Sequence, residues 1–396
     1  MPLFKIAKKQ LRLGTESAFE VLGRAQQLKQ QGNDIINLGI GQPDFKTPQH
    51  IVDAAIKAIK DGHHGYTPAN GIFELREAVS NFIFKKYKVQ IHPDQILIVP
   101  GAKAIIWRTI LLFGEPGAEI IFPNPGFPIY ESVINYTGAQ GIPISSLSET
   151  EGGINLDELI SKISSKTRLI ILNSPSNPTG QVLPNRFLDD LANELQKYPH
   201  VSILSDEIYS RIIYEKNYTK SMIQYEHLRD RLILLDGWSK TYAMTGWRIG
   251  YGIYPKPLVE AVQRIGINSS SCANSISQHA AIAALNGPQD DVDKMVQEFF
   301  QRKNYITQEV KLLTDFKCNT TTGAFYIMPS IKNTGLTSKK MENFLLEKLG
   351  IATIAGTSFG SLGEGYLRIS YANSLQNIKR ALRRINEYVS ENGWNA

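Results

Sequence analysis

The residue with the clearest chemical potential is Lys240, within the segment GWSKTYAMTGWRIGY (237–251). Small, aromatic and apolar residues surround it, and desolvation beside another cation, such as Arg248, lowers the pKa of a lysine. A lysine with a lowered pKa is suited to form a Schiff base with a carbonyl compound. Ser239 and Arg248 flank Lys240 and are suited to bind one phosphate group through a hydroxyl and a guanidinium.

Further polar residues also follow short apolar runs. Asp206 comes after the run 201–204, where its carboxylate either caps a following helix or pairs with a buried cation such as a protonated ring nitrogen. Asn177 lies in NSPSNPTG, a composition that is also typical of a simple turn. The segment 101–103 opens a predicted helix, where small residues either form a tight turn or leave backbone N–H groups free for a phosphate.

The elements that must position these residues are short β-branched runs alternating with amphipathic helices. One such helix is predicted over 183–198, where apolar residues recur near i, i+3, i+4 and i+7. This alternation predicts an α/β fold with a doubly wound, mostly parallel sheet, and ligands bind such sheets beyond the carboxyl ends of the strands. The predicted buried strands are 96–99, 119–122, 168–172, 201–204 and 232–235.

The regular alternation of short β-branched runs and amphipathic helices changes after about residue 286. This change predicts a second, smaller α+β domain. We expect a large domain over 50–285 and a small domain formed by 1–49 together with 286–396. Asn373 or Ser374 is placed to cap the last helix. The elements predicted for the C-terminal part are helices over 290–313, 338–349 and 374–388 and strands over 323–328 and 366–370.

Composition excludes several classes of protein. The 396 residues are 42% hydrophobic, and the net charge of +6 is spread too thinly for a nucleic-acid-binding arm. The two cysteines, Cys272 and Cys318, form neither a disulfide scaffold nor a zinc motif, and the seven histidines show no metal-binding spacing. Because no apolar run is long enough to span a membrane or to serve as a signal peptide, we expect a cytoplasmic protein without a membrane or nucleic-acid partner.

The chain resembles the class I/II aminotransferases, the aspartate aminotransferase-like enzymes of fold type I that use pyridoxal 5'-phosphate. The resemblance extends over nearly the whole chain, with the motifs in the order typical of the family. It implies a transaminase that moves an amino group from an L-amino acid to a 2-oxo acid by a ping-pong mechanism. The matching motifs are NLGIGQPDFKTP (37–48), GYTPANGIFELREAV (65–79), NSPSNPTG, SDEIY, SKTYAMTGWRIGY and YLRISYA (366–372).

The resemblance also implies a role for each matching residue. Lys240 would form the Schiff base with the cofactor and move a proton, Asp206 would keep the pyridine nitrogen protonated, and Tyr209 would tune the cofactor. Arg368 would bind the α-carboxylate of the substrate, with Gly41 giving room beside the backbone. The cofactor-binding set would be Gly101, Ala102, Lys103, Phe127, Asn177, Asp206, Tyr209, Ser239, Lys240, Arg248 and Tyr66, and the substrate-binding set Gly41, Asn177 and Arg368.

Tyr66 matches a tyrosine that reaches the phosphate of the neighbouring subunit, which implies a homodimer with shared active sites. Gly126 stands where many members have a large aromatic residue, so we expect a more open pocket wall at this position. The residues do not specify which amino acid donates the amino group.

Three alternatives to transamination are compatible with parts of the sequence, and one of them is a regulatory or otherwise non-catalytic relative that retains the cofactor. The segment GTSFG (356–360) matches the nucleophile elbow of α/β-hydrolases, but the last histidine, His279, precedes it and no helix is predicted directly after the serine. The hydrolase interpretation therefore fails. Other reactions with the same cofactor, such as a C–S β-lyase or an amino-acid oxidase, stay open, because they need a similar set of residues.

Overall fold

The computed structural model of the chain describes residues 4–215, 218–318 and 321–394. The strands within these ranges are, in chain order, β1 (Ile36–Asn37), β2 (Ile96–Val99), β3 (Glu119–Asn124), β4 (Gln140–Ser145), β5 (Thr167–Asn173), β6 (Ser202–Asp206), β7 (Leu232–Gly237), β8 (Gly250–Ile253), β9 (Tyr326–Ile327), β10 (Ile351–Ala352), β11 (Ile354–Ala355) and β12 (Leu367–Ser370). The helices are α1 (Ser17–Gln30), α2 (Gln49–Lys60), α3 (Phe73–Tyr87), α4 (Lys103–Phe113), α5 (Ile129–Thr137), α6 (Leu156–Ser161), α7 (Asn185–Glu194), α8 (Trp238–Thr241), α9 (Lys256–Ser270), α10 (Ser275–Asn286), α11 (Asp290–Leu312), α12 (Ser338–Leu349) and α13 (Leu375–Asn392).

A seven-stranded sheet in the order β2-β8-β7-β6-β5-β3-β4 forms the centre of the molecule. Strands β7, β6, β5, β3 and β4 pair in parallel, whereas β8 runs antiparallel to both of its neighbours. The mostly parallel sheet confirms the predicted fold class. All five strands predicted in this part exist, with ends that differ by one or two residues.

Strands β4 and β8 are not predicted from the sequence, because neither has the uninterrupted apolar run of a typical buried strand. Strand β4 is partly exposed and contains Gly141 and Pro143, and β8 reads GYGI. Glycine and proline are depleted in strands. At Gly252 a side chain would bring its Cβ within 2.7 Å of Ile105 Cδ1, so the glycine allows α4 to pack closely on β8.

Strand β5 shows why helices cover both faces of this sheet. Leu169 and Ile171 point into one hydrophobic core, which also contains residues of α4, α5 and α9. Ile170 and Leu172 point into the other core, with residues of α2, α3, α7 and α10. All four side chains are at most 1% exposed. Side chains alternate across a strand, so an uninterrupted apolar run requires two covered faces.

The C-terminal elements build a separate, antiparallel three-stranded sheet in the order β11-β12-β9. Helices α11, α12 and α13 contribute to its core around Phe299 and Phe325. Strand β1, from the N-terminal part, pairs in parallel with β10 through Ile36 and Ile351. The predicted division into two domains stays a prediction, although this pairing places residues before position 49 beside the C-terminal elements.

Two C-terminal expectations differ in detail from the structure. The strand predicted over 323–328 is reduced to Tyr326–Ile327. The last helix begins directly after Ser374, whose hydroxyl accepts a hydrogen bond from the Asn377 N–H at 3.2 Å, so Ser374 is the cap. Among the described residues, no helix combines the length and apolar character that a membrane crossing requires.

Candidate active site

A cavity of about 510 Å³ lies where β5, β6 and β7 end. It is bordered by residues from the large sheet, the small sheet and helix α1. Gly101 and Tyr66 are the predicted site residues that do not line it. The predicted residues that line it are Gly41, Ala102, Lys103, Phe127, Asn177, Asp206, Tyr209, Ser239, Lys240, Arg248 and Arg368.

Lys240 is held in the short helix α8, directly after β7. Its Nζ donates a hydrogen bond of 2.6 Å to the carbonyl oxygen of Gly41. Desolvation in the cavity lowers the pKa of Lys240 to about 7, and the positive charges of Arg368 and Arg248 act in the same direction. This direction agrees with the lowered pKa expected from the sequence.

Asp206 is the last residue of β6 and is 3% exposed. Its Oδ2 accepts a 2.6 Å hydrogen bond from the Tyr130 hydroxyl, and its Oδ1 accepts one of 3.3 Å from the Ile208 N–H. Burial raises the pKa of Asp206 to about 6, while the Tyr130 hydrogen bond partly offsets this rise. Because turns rather than a helix follow β6, the carboxylate does not cap a helix. The structure thus favours pairing with a cation in the cavity.

The start of helix α4 is suited to bind an anion. Gly101 adopts φ +85°, and a Cβ there would lie 2.1 Å from Arg248 Nη2, so this glycine allows the guanidinium to approach the backbone. Within the described ranges, no side chain caps the N-terminus of α4. Ser239 lines the same cavity. Free N–H groups, a guanidinium and a hydroxyl together form a typical phosphate site.

Arg368 lies on β12, at the opposite side of the cavity, and is 3% exposed. The rings of Tyr326 and Phe359 lie 4.7 and 4.6 Å from its guanidinium carbon. Nη1 donates to Asn177 Oδ1 at 2.9 Å, and Nη2 donates to the Gly39 carbonyl. Among the described residues, the buried Nε has no hydrogen-bond partner. A buried guanidinium N–H without a partner is suited to donate a hydrogen bond to a carboxylate from outside the chain.

Several residues of the cavity were not found from the sequence. Tyr130 belongs to α5, where it reads as an ordinary core residue, and only its contact with Asp206 shows its importance. Tyr326 contacts the Tyr209 hydroxyl through its own hydroxyl at 2.8 Å. No sequence signal separates these tyrosines from other core aromatics. The remaining unpredicted lining residues include Glu16, Phe19, Leu22, Ile40 and Asn173.

Two other expectations concern the cavity wall and the neighbouring subunit. Tyr66 is 94% exposed and lies outside the cavity of its own chain. Gly126 does not line this cavity either, and the more open pocket wall expected beside it stays a prediction. A Cβ at Gly126 would lie 2.1 Å from the Pro123 carbonyl oxygen, which means that the backbone turn itself requires glycine.

Behind the strand ends that carry Asp206 and Lys240 lies a second charged cluster. Glu207 and Asp236, here called the acidic pair, are each 6% exposed. Burial raises the pKa of Glu207 to about 7 and that of Asp236 to about 6. Lys86 Nζ donates to the carbonyl and hydroxyl oxygens of Ser210 at 3.1 and 3.0 Å, and the Ser210 hydroxyl donates to Asp236 at 2.7 Å. The cluster thereby joins Asp236 on β7 to Ser210, which follows β6.

Comparisons with known proteins agree with this geometry. The family model "Aminotransferase class I and II" matches residues 33–385. The chain is 37% identical to a (5-formylfuran-3-yl)methyl phosphate transaminase of Methanocaldococcus jannaschii, over 98% of this chain and 100% of that protein. It is 33% identical to an aspartate aminotransferase of Bacillus subtilis, over 98% of this chain and 99% of the relative.

Solved structures show the same similarity. The crystal structure of the aspartate aminotransferase from Rhizobium meliloti superposes with a TM-score of 0.91 at 32% identity, covering 96% of this chain and 98% of that one. An alanine aminotransferase from Pyrococcus furiosus reaches a TM-score of 0.91 at 28% identity, covering 98% and 100%. The chain therefore belongs to the class I and II aminotransferases, a family that uses pyridoxal phosphate, and it is a transaminase.

Proposed function

We propose that this transaminase moves the amino group of an L-amino acid to a 2-oxo acid by a ping-pong mechanism, with Lys240 as the cofactor-binding and proton-transferring residue. The observation that carries the proposal is the meeting of three groups in one cavity. These are the amine of Lys240 with its lowered pKa, the buried carboxylate of Asp206 and the unpartnered Nε of Arg368. Each of the three has a charge or a proton-transfer capacity that transamination needs.

The residues around the cavity fit pyridoxal phosphate. The close approach of Arg248 to Gly101 and the uncapped start of α4 suit its phosphate, together with Ser239. The carboxylate of Asp206 suits a protonated ring nitrogen. When bound, the cofactor supplies an electron sink for the bonds at the substrate Cα. The other residues that would hold it are Ala102, Lys103, Phe127, Asn177 and Tyr209, all of which line the cavity.

Lys240 is suited both to remove and to return a proton. Its amine, whose pKa burial lowers, would accept a proton from the substrate Cα as a base and then return it as an acid. Arg368 would bind the substrate α-carboxylate and thereby orient the Cα–H bond toward Lys240. The hydrogen bonds to Asn177 and Gly39 hold Arg368 in place. Gly41 leaves the backbone accessible next to Tyr326.

We also propose a homodimer with shared active sites, located in the cytoplasm. The 94% exposure of Tyr66 supports the dimer, because a large aromatic side chain on the surface is available to a second subunit. In this arrangement Tyr66 would complete the phosphate site of the neighbouring chain. The mass of the protein in solution, measured by light scattering for wild type and Tyr66→Ala, separates assembly from the contribution of the tyrosine.

The proposed function is tested with purified protein, added pyridoxal phosphate and single amino acids in the absence of any 2-oxo acid acceptor. We expect one equivalent of 2-oxo acid per active site and a matching change of the visible absorption band. Lys240→Ala should abolish this reaction, whereas Lys85→Ala, at an exposed lysine of α3, should leave it unchanged. Continuous release of ammonia would instead indicate a lyase, and consumption of oxygen an oxidase. Full activity of Lys240→Ala would refute the role of this lysine.

A further inference from the structure

The side chains of one ion pair of the cavity have no partner assigned under the proposed function, in which Lys103 would contribute through its backbone at the start of α4. The cavity contains the cations Lys103, Lys240, Arg248 and Arg368 and the anions Glu16 and Asp206. Under the proposed function, Arg248 binds the phosphate of the cofactor and Asp206 pairs with its ring nitrogen. Arg368 binds the α-carboxylate of the substrate. The side chains of Lys103 and Glu16 remain, and they bind each other.

The position of this pair places it beside the reacting groups. Glu16 directly precedes helix α1, and Lys103 is the first residue of helix α4. Lys103 Nζ also lies 5.1 Å from the centre of the Phe127 ring. Burial lowers the pKa of Arg368, and the negative charge of Glu16 acts against this lowering. Burial also lowers the pKa of Lys240, and the positive charge of Lys103 adds to that effect. Glu16 and Lys103 are therefore close enough to influence the charge of Arg368 and Lys240, the two residues proposed to contact the substrate.

The surroundings of the pair are apolar. Helix α1 presents Phe19 and Leu22 to the cavity, and Ile40 and Phe127 complete this part of the lining. The side chains of Glu16 and Lys103 are 22% and 39% exposed, so water solvates the pair only in part. An uncharged substrate side chain meets apolar surface and a neutral pair there. An acidic side chain, in contrast, meets a lysine whose charge is already balanced and a carboxylate that repels it.

We propose that Glu16 is a specificity-determining residue, which neutralises Lys103 and so directs the site toward amino acids with uncharged apolar or aromatic side chains and away from aspartate and glutamate. This inference rests on the proposed function. Its physical basis is competition, because a substrate carboxylate can bind Lys103 only after it has displaced Glu16. Lys103 thus has two separate contributions, its backbone at the start of α4 and its side chain beside the substrate.

The test compares wild type with Glu16→Gln and with the control Glu20→Gln, at an exposed position one turn later on α1. Each protein, loaded with pyridoxal phosphate, reacts in single turnover with L-phenylalanine, L-leucine, L-aspartate or L-glutamate, and the rate constant divided by the half-saturating concentration is compared. No 2-oxo acid acceptor is added, so that only the donor side is measured.

We expect wild type to prefer phenylalanine or leucine over both acidic amino acids. Glu16→Gln should raise the efficiency with aspartate and glutamate by about tenfold, with little change for leucine, and Glu20→Gln should behave as wild type. The double variant Glu16→Gln/Lys103→Gln should lose the gain. A wild-type preference for aspartate or glutamate, or an unchanged preference in Glu16→Gln, would overturn this inference alone. The absence of reaction with all four amino acids would overturn this inference, and the absence of a visible absorption band for bound pyridoxal phosphate would overturn the proposed function as well.

Discussion

The lowered pKa of Lys240 predicts a specific dependence of stability on pH. The perturbation is Lys240→Met, which keeps the length of the side chain and removes the titrating amine. In the folded protein the pKa of Lys240 is about 7, against an ordinary value of 10.5. Between these two pH values the unfolded chain binds more protons at this site than the folded chain does. The free energy of unfolding therefore rises with pH across this window in wild type.

The size of the effect follows from the two pKa values. Integrating the difference in bound protons from pH 7 to pH 10 gives a gain of about 3.5 kcal/mol for wild type relative to Lys240→Met. Most other groups titrate alike in both proteins, and Asp206, whose pKa burial raises to about 6 while the charge of Lys240 lowers it in part, titrates mainly below this window. At pH 7 the variant should be the more stable protein, because it does not have to desolvate a partly charged amine.

The assay is urea denaturation of the cofactor-free protein at several pH values and one fixed protein concentration, followed by tryptophan fluorescence. Trp238 is 1% exposed and lies two residues from Lys240, so its emission reports on unfolding of the site. Lys85→Met, at an exposed lysine, serves as the matched control and should follow wild type. A constant difference between wild type and Lys240→Met, to within about 1 kcal/mol, would refute the reasoning.

Two further predictions concern the surroundings of Lys240. Tyr130→Phe removes a hydrogen bond that lowers the pKa of Asp206, so this pKa should rise by a further one to two units, about what a hydrogen bond to a charged group contributes. The loss of pyridoxal phosphate affinity on acidification should then begin at a higher pH, and identical pH profiles would contradict the prediction. Lys86→Met removes the cation that acts most strongly on the acidic pair and leaves Arg211 as the other positive charge that opposes the burial-raised pKa of Asp236. The substitution should lower the free energy of unfolding by less than the roughly 3–5 kcal/mol typical of a broken buried pair, because burial also lowers the pKa of Lys86 to about 8 and so disfavours its charged form. The loss should be larger at pH 8 than at pH 6, because the pair gains charge over this range; urea denaturation at both values measures it, and equal losses would count against the electrostatic explanation.

The fold was largely predictable because the strands of the large sheet are buried on both faces. A run such as 168–172 is then apolar throughout and is visible in the sequence. Strand β8 was missed because its glycines reflect the closeness of α4, a tertiary constraint without a local pattern. The strand predicted over 323–328 was too long, since only Tyr326 and Ile327 pair with β12.

The candidate site was predictable where chemistry demands a particular residue type, as at Lys240, Asp206 and Arg368. The supporting residues were not predictable, because their roles arise from contacts between distant parts of the chain. Tyr130 is 76 residues from Asp206 in the sequence, and Glu16 is 87 residues from Lys103. A tyrosine or a glutamate in an amphipathic helix gives no local sign of such a partner.

The two sheets contribute different functional residues to the candidate active site. Asp206 and Lys240 follow strands of the seven-stranded sheet, whereas Arg368 lies on β12 of the three-stranded sheet. The two sheets are nevertheless linked at the site, because Arg368 donates to Asn177, which follows β5, and the hydroxyl of Tyr326 on β9 contacts that of Tyr209. A displacement of Arg368 would therefore also move residues proposed to face the cofactor, so binding of the substrate and binding of the cofactor are coupled through these side chains.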